Sequence, residues 1–193
     1  RTADICDQCL SYSEKNDSNR VYMNQLMQIM DGVRSNLMFR DRSKYLRTNS
    51  RLEFRGIMHR MYLTDLGDLE VNLNPKERSL YLVFLNHPEG ISRTNLIEYS
   101  KELKSFYNTF SKTWDSLLYL ERIIKIEESI ALLTNPLEDN FMQVLSRIRR
   151  KFKDTVGEEQ YKTYSIESFD GTYKITLDRE LVSFNEHTKR LVE

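Results

Sequence analysis

The sequence predicts an α+β fold that is mainly helical, and three local patterns support this prediction. Apolar residues recur at the helical i, i+4, i+7 spacing, most clearly between Phe141 and Phe152. Two Asn-Pro-x-Glu sequences, which begin at Asn74 and Asn135, contain the residue types of a helix start. Two pairs of alternating segments, each joined by a turn that contains glycine, are typical of β-hairpins.

The composition is that of a folded domain with a dense core. Hydrophobic residues make up 39% of the 193 residues and charged residues 30%, which is too apolar for a disordered chain. Lys plus Arg equals Asp plus Glu at 29 each, so only a local basic face is expected to attract nucleic acid. No run of 18 apolar residues and no signal-peptide pattern occurs, and we therefore expect a cytoplasmic protein without membrane contact.

Residues 1–56 are interpreted as an N-terminal helical and linker segment, followed by one domain over residues 57–193. The apolar residues of Val21–Leu37 fall on one face of a predicted helix. Cys6 and Cys9 form a Cys-x-x-Cys pair, but two further zinc ligands at suitable spacing are missing. We interpret them as thiols of a loose or helical segment, and we expect no metal and no cofactor.

The domain is predicted to open with a β-hairpin, because residues 58–63 and 69–73 are two strand-like segments joined by a turn. The helix that follows has a complete set of start signals. Asn74 can cap it, Pro75 suits its first position, and Glu77 lies where a capping-box carboxylate reaches back to the cap.

The second half of the domain is predicted to contain two further helices and a second hairpin. Ser92 is expected to cap one helix, and Asn135 is expected to open a segment that continues as a basic helix over 140–153. The residues from Tyr164 to Leu177 alternate around an Asp-Gly turn, which is a strong hairpin signal. The tail from Asp178 onward is expected to pack back as a short segment.

The helix over 140–153 carries five basic residues and no acidic one. Arginine can bridge guanine O6 and N7 or bind a phosphate, and Asn or Gln can read a base edge. The alternative is a solvated cationic helix end, which also suits the helix dipole. The candidate DNA-binding residues are Asn140, Gln143, Arg147, Arg149, Arg150, Lys151 and Lys174.

Signals of an enzyme are missing from the sequence. It contains no glycine-rich phosphate loop, no nucleophile elbow and no histidine-containing metal motif. Adjacent carboxylates such as Glu127 and Glu128 are interpreted as solvated charge. We therefore do not expect catalysis.

Three segments resemble the OmpR-type winged-helix domain, the DNA-binding effector half of many bacterial response regulators. Residues 73–82 are similar to that family's Leu-Thr-Pro-x-Glu helix start. Residues 90–96, Gly-Ile-Ser-Arg-Thr-Asn-Leu, are similar to its glycine, Val-Ser-Arg and leucine. Residues 147–152, Arg-Ile-Arg-Arg-Lys-Phe, together with the hairpin after them, are similar to its recognition helix and wing.

The resemblance implies a winged helix with an N-terminal hairpin, three core helices and a C-terminal hairpin as the wing. It implies a DNA-binding transcriptional regulator in which the helix over 140–153 enters the major groove, with Arg147 and Arg149 at DNA-contacting positions. A helical insertion at about 104–134 lies where the family contacts RNA polymerase or a neighbouring subunit. The turn carries Asp170 in place of the family's arginine and glycines, which disfavours minor-groove contact.

A protein-interaction module in a larger assembly is the alternative, since a winged-helix scaffold does not by itself define a function. In either case Val21–Leu37 or the insertion is a candidate surface for a homodimer or a protein partner. Residues 81–91 also resemble a sequence segment found in uncharacterised proteins of Bacteroides-type bacteria. That likeness suggests a source and no activity.

Overall fold

A computed structural model describes residues 49–111 and 119–192, which contain two small β-sheets and six α-helices. The fold is therefore α+β, as the sequence predicts. The chain divides into two units, Arg1–Arg47 and Thr48–Glu193. The predicted helix over Val21–Leu37 and both cysteines lie outside the described residues.

The first sheet has four strands in the order β3–β2–β1–β7. β1 (Leu52–Arg55), β2 (Arg60–Leu63) and β3 (Leu69–Val71) form an antiparallel meander, and β7 (Val182–Phe184) pairs in parallel with β1. Alternate side chains point into the core, as the period of a strand requires. The β2–β3 hairpin is the one predicted from the sequence.

β1 is a strand that the sequence analysis did not predict, and it lies before the domain boundary placed at residue 57. Its sequence, Leu-Glu-Phe-Arg, offers only one short alternation. Its pairing with β7 joins the two ends of the described unit. The tail thus packs back as a short segment, as expected, and it does so as an edge strand of this sheet.

α1 (Pro75–Asn86) passes through the centre of the core and is buried along most of its length. Its start is the predicted capping box: Asn74 Oδ1 accepts the Glu77 N–H at 2.9 Å, and Glu77 Oε2 accepts the Asn74 N–H at 3.0 Å. The helix ends before Gly90, which has a φ of 93°. Glycine adopts this backbone conformation readily, whereas residues with a side chain are strained in it.

The segment after α1 differs from the prediction. Ile91 and Ser92 form a two-residue strand, β4, opposite Tyr173 and Thr172 of β6 (Thr172–Ile175). Ser92 Oγ does accept the Asn95 N–H at 3.2 Å, but the turn that follows is a 3₁₀ helix. Ser92 therefore makes the cap hydrogen bond and at the same time belongs to a strand that pairs with β6.

Two helices follow, α2 (Ser100–Phe110) and α3 (Tyr119–Thr134), and they occupy the predicted insertion. α4 (Asn140–Val156) comes next and ends at Gly157. It begins at Asn140 and not at Asn135, which corrects the predicted helix start. Asn135 Oδ1 accepts the Leu137 N–H at 3.0 Å and forms a turn.

Arg93 explains why the segment before α4 stays in a turn. Its guanidinium donates to the backbone oxygens of Leu133, Asn135 and Glu138, at 3.0, 2.6 and 2.6 Å. It also lies 4.7 Å from the centre of the Phe141 ring. One half-buried arginine thus connects the end of α3 with the beginning of α4.

The second sheet has three strands in the order β4–β6–β5. The short helix α5 (Tyr161–Tyr164) leads into β5 (Ile166–Phe169), and a two-residue turn joins β5 to β6. Asp170 and Gly171 have φ of 47° and 84°, the positive values that a tight hairpin turn needs. The chain ends with a 3₁₀ turn, β7 and α6 (Glu186–Val192).

Two buried tyrosines connect α1, α4 and the start of the unit. Tyr81 donates to the backbone oxygen of Tyr164 at 2.7 Å, and Tyr164 donates to the backbone oxygen of Ser50 at 3.0 Å. The Phe152 ring lies 5.2 Å from Tyr81 and 5.9 Å from Tyr164. Burial raises the pKa of Tyr164 to about 12, so both hydroxyls serve here as structural donors.

Within the described residues, no helix combines the length and the apolar character needed to cross a membrane.

We predict that Gly90→Ala destabilises the unit by about 2–3 kcal/mol, because a Cβ at this position adds a clash to backbone strain. The added carbon would lie 3.0 Å from the Tyr173 backbone oxygen. Gly67→Ala is the matched control, since Gly67 has a similar φ of 85° but no atom within 4 Å of the added Cβ. It should cost about 1 kcal/mol. Urea unfolding measures both, and equal losses would contradict the close approach of β6.

Candidate nucleic-acid interface

α4 has two faces with different chemistry. Its buried face carries Phe141, Leu145, Ile148 and Phe152, all with no exposed surface, at the spacing that the sequence predicts. The opposite face is exposed and polar. The exposed polar side chains that share this outer face are Gln143, Ser146, Arg147, Arg150 and the acidic Asp154.

Two cations of α4 share one buried carboxylate on α1. Glu77 is only 1% exposed, and its Oε2 accepts the Lys151 ammonium at 2.5 Å. Its Oε1 lies 3.3 Å from Arg147 Nε. The predicted DNA-contacting Arg147 and Lys151 are therefore bound within the protein, although Arg147 keeps half of its side chain in solvent.

A third cation, Arg149, binds the first strand of the second hairpin. Its Nε lies 3.0 Å from Glu167 Oε1, and its Nη2 donates to the Ile166 backbone oxygen at 3.2 Å. Ser165 donates to the same carboxylate oxygen at 2.6 Å. Arg149 thus fixes β5 against α4 and has little freedom to reach a nucleic acid.

Arg150 is the most exposed of the predicted site cations on α4. Its side chain is 83% exposed, and its nearest acid is Asp154, one turn further along α4 at 3.9 Å. An exposed i, i+4 pair of this kind contributes little energy. Lys153 is more firmly held, because its hydrogen bond with Glu158 at 2.6 Å raises the pKa of Lys153.

The polar residues at the start of α4 are oriented differently. Gln143 is exposed, and Asn140 is half-buried in the first turn. Next to them, the Tyr173 hydroxyl lies 3.6 Å from Met142 Sδ, and the Tyr173 ring packs edge-on against Phe141. Of the two predicted base-reading amides, Gln143 is therefore the better exposed.

The second hairpin brings one cation and one carboxylate near the same outer surface. Lys174 Nζ lies over the Phe169 ring at 5.0 Å from its centre. Asp170 occupies the exposed turn. The hairpin therefore offers an aromatic ring with an ammonium over it, and a carboxylate in the exposed turn.

The sequence analysis did not identify the acids that pair with the cations of α4, nor one further cation that lies near Arg147. Lys76, in the first turn of α1, lies close enough to Arg147 that burial and then the arginine charge lower the pKa of Lys76. Glu77 was expected only as a capping residue and Glu167 was not singled out. Contacts between elements this far apart leave no local pattern, so no signal in the sequence could have identified them.

Other site chemistry is limited in this part of the chain. Residues 49–111 and 119–192 contain no group of three or more His, Cys, Asp or Glu side chains arranged to hold a metal ion. The pair Cys6 and Cys9 lies outside these ranges.

We predict that Glu77→Gln lowers the free energy of unfolding by about 2–3 kcal/mol, because Lys151 and Arg147 lose their shared counter-charge. This is less than a fully buried pair would cost, since both cations are partly in solvent. Glu70→Gln is the control: Glu70 pairs with Arg60 at 3.5 Å on the surface, and its loss should change stability by under about 0.5 kcal/mol. Chemical denaturation measures the two variants, and similar effects would show that Glu77 does not join α1 to α4.

Comparison with known proteins returned no relative. No protein-family model, no curated protein and no solved structure matches the chain.

Proposed function

We propose that the Thr48–Glu193 unit is a winged-helix DNA-binding domain of a transcriptional regulator. α4 acts as the recognition helix in the major groove, and the β5–β6 hairpin acts as the wing. The observation that carries this proposal is the outer face of α4, where exposed amide, hydroxyl and guanidinium groups lie on a helix whose other face is locked in the core.

The order and pairing of the elements support this proposal. β4 lies between α1 and α2 and pairs with β6, which anchors the hairpin beside α4. The Phe141–Tyr173 contact and the Arg149–Glu167 pair then connect helix and hairpin directly. A helix and a hairpin held in this way can contact the same duplex.

The ion pairs of α4 narrow the proposed contact to a few residues. Arg149 and Lys151 position the helix, while Arg147 and Arg150 keep charged surface in solvent. Few phosphates are then neutralised, so the salt dependence should correspond to a small number of released counterions.

We predict that the full chain binds mixed genomic duplex DNA at low salt and that Arg147→Ala/Arg150→Ala weakens binding by tenfold or more, on the order expected for two lost charged contacts. Fluorescence anisotropy over a salt series measures both. Arg60→Ala/Lys125→Ala is the control, because these two exposed cations lie outside α4 and each pairs with an acid. Equal losses in the two double variants would point to non-specific charge attraction, and no binding by the wild type would refute the proposal.

The second candidate is a protein-interaction module in a larger assembly. It is favoured by exposed apolar side chains on the insertion helix α3, above all Leu120, which is 73% exposed, and Ile124 one turn later. Such residues on a charged surface mark contact sites.

For this second candidate we expect Leu120→Ser/Ile124→Ser to reduce any oligomer of the full chain that static light scattering detects. Ile57→Ser removes an equally exposed apolar side chain outside α3 and should leave the mass unchanged. A mass that is monomeric throughout, or that changes equally in both variants, would contradict a role of this face in self-association.

A further inference from the structure

The exposed side chains on the outer face of α4 are spaced so that those at its two ends can contact different base pairs. Gln143, Ser146, Arg147 and Arg150 lie at i, i+3, i+4 and i+7, and all four are exposed. Gln143 and Arg150 are two turns apart, roughly 10 Å along the axis at about 1.5 Å per residue. At about 3.4 Å per base step, this corresponds to on the order of three base pairs.

The two end residues of this face have the side chains that discriminate bases. A glutamine amide both donates and accepts, which matches N7 and the N6 amino group of adenine. A guanidinium donates two parallel hydrogen bonds, which match O6 and N7 of guanine. Arg150 has this capacity free, because its pair with Asp154 is 3.9 Å long and lies between two well-exposed side chains.

The other cations of α4 are excluded from this role by their partners. Arg149 is held by Glu167 and the Ile166 backbone oxygen, and Lys151 by Glu77. Lys153 is held by Glu158 at 2.6 Å. Arg147 keeps solvent access, and its Nε lies 3.3 Å from Oε1 of the same Glu77 without forming a hydrogen bond. An arginine paired in this way can approach a phosphate at the groove edge, whereas Arg150 can extend to a base.

We infer that Gln143 and Arg150 are the base-reading pair of α4, and that they select duplex DNA with an adenine and a guanine about three base pairs apart. This inference rests on the proposed DNA-binding function. It assigns Arg149 and Lys151 to positioning of the helix, in contrast to the set of candidates that the sequence suggests.

The test is a selection of bound sequences from a randomised duplex library by the full chain, followed by affinities for the selected duplex and for single-base variants. Gln143→Glu keeps nearly the same side-chain shape, but the carboxylate can no longer donate a hydrogen bond. It can accept one from the cytosine amino group. It should move the preference at one position from adenine to cytosine. Arg150→Ala should reduce discrimination at the guanine position by about 5- to 150-fold.

The matched control is Lys125→Ala, which removes a 78% exposed cation that also pairs with an acid at i, i+4 spacing. It should leave the selected sequence unchanged. Arg150→Lys keeps the charge but loses the planar fork. If Arg150→Ala weakens binding to all sequences equally without changing the preferred bases, and Arg150→Lys restores the affinity, Arg150 contacts a phosphate and the inference is overturned. Selection by the wild type with preferences that neither Gln143→Glu nor Arg150→Ala alters would also overturn it, while the proposed function would stand. No binding by the wild type would refute both.

Discussion

The buried carboxylate of Glu77 is the interaction on which the position of α4 depends. Its Oε2 closes the capping box of α1 through the Asn74 N–H and also accepts the Lys151 ammonium, while Oε1 faces Arg147. A carboxylate that is 1% exposed is stable only with such partners. One side chain thus begins the central helix and, together with the buried apolar face of α4, sets the rotation of α4 about its own axis. This rotation decides which residues face solvent.

The rotation of α4 brings the cations of the basic segment 147–153 close to acids, some of which are distant in the sequence. In sequence the segment is a cluster of cations without an acid, but in the structure each cation has a carboxylate within 4.0 Å, supplied by α1, by β5, by α4 itself or by Glu158 in the turn after it. Ion pairs within the protein neutralise charge that would otherwise attract phosphates. The surface that remains is polar and weakly cationic, which suits selective contact better than strong non-specific attraction.

The second hairpin is placed by three contacts, which come from β4 and α4. β4 pairs with β6, the Phe141 ring of α4 meets Tyr173, and Arg149 binds Glu167 on β5. Gly90 permits the first of these, because its missing side chain lets the end of the α1 connection approach the β6 backbone. A two-residue strand therefore has a large effect on the shape of the candidate interface, since it decides where the hairpin stands relative to α4.

The sequence by itself determined the features that depend on neighbouring residues: the capping box at Asn74, the Asp-Gly turn and the apolar face of α4. These are set by hydrogen bonds and side-chain spacing within a few residues, so a local pattern is sufficient to predict them. Only the tertiary structure decided that Leu52–Arg55 is a strand, that Ser92 belongs to a sheet, and that Arg149 is held by an acid. β7, β6 and Glu167 are partners that lie outside the local sequence of these three features, so no local pattern predicts the pairing.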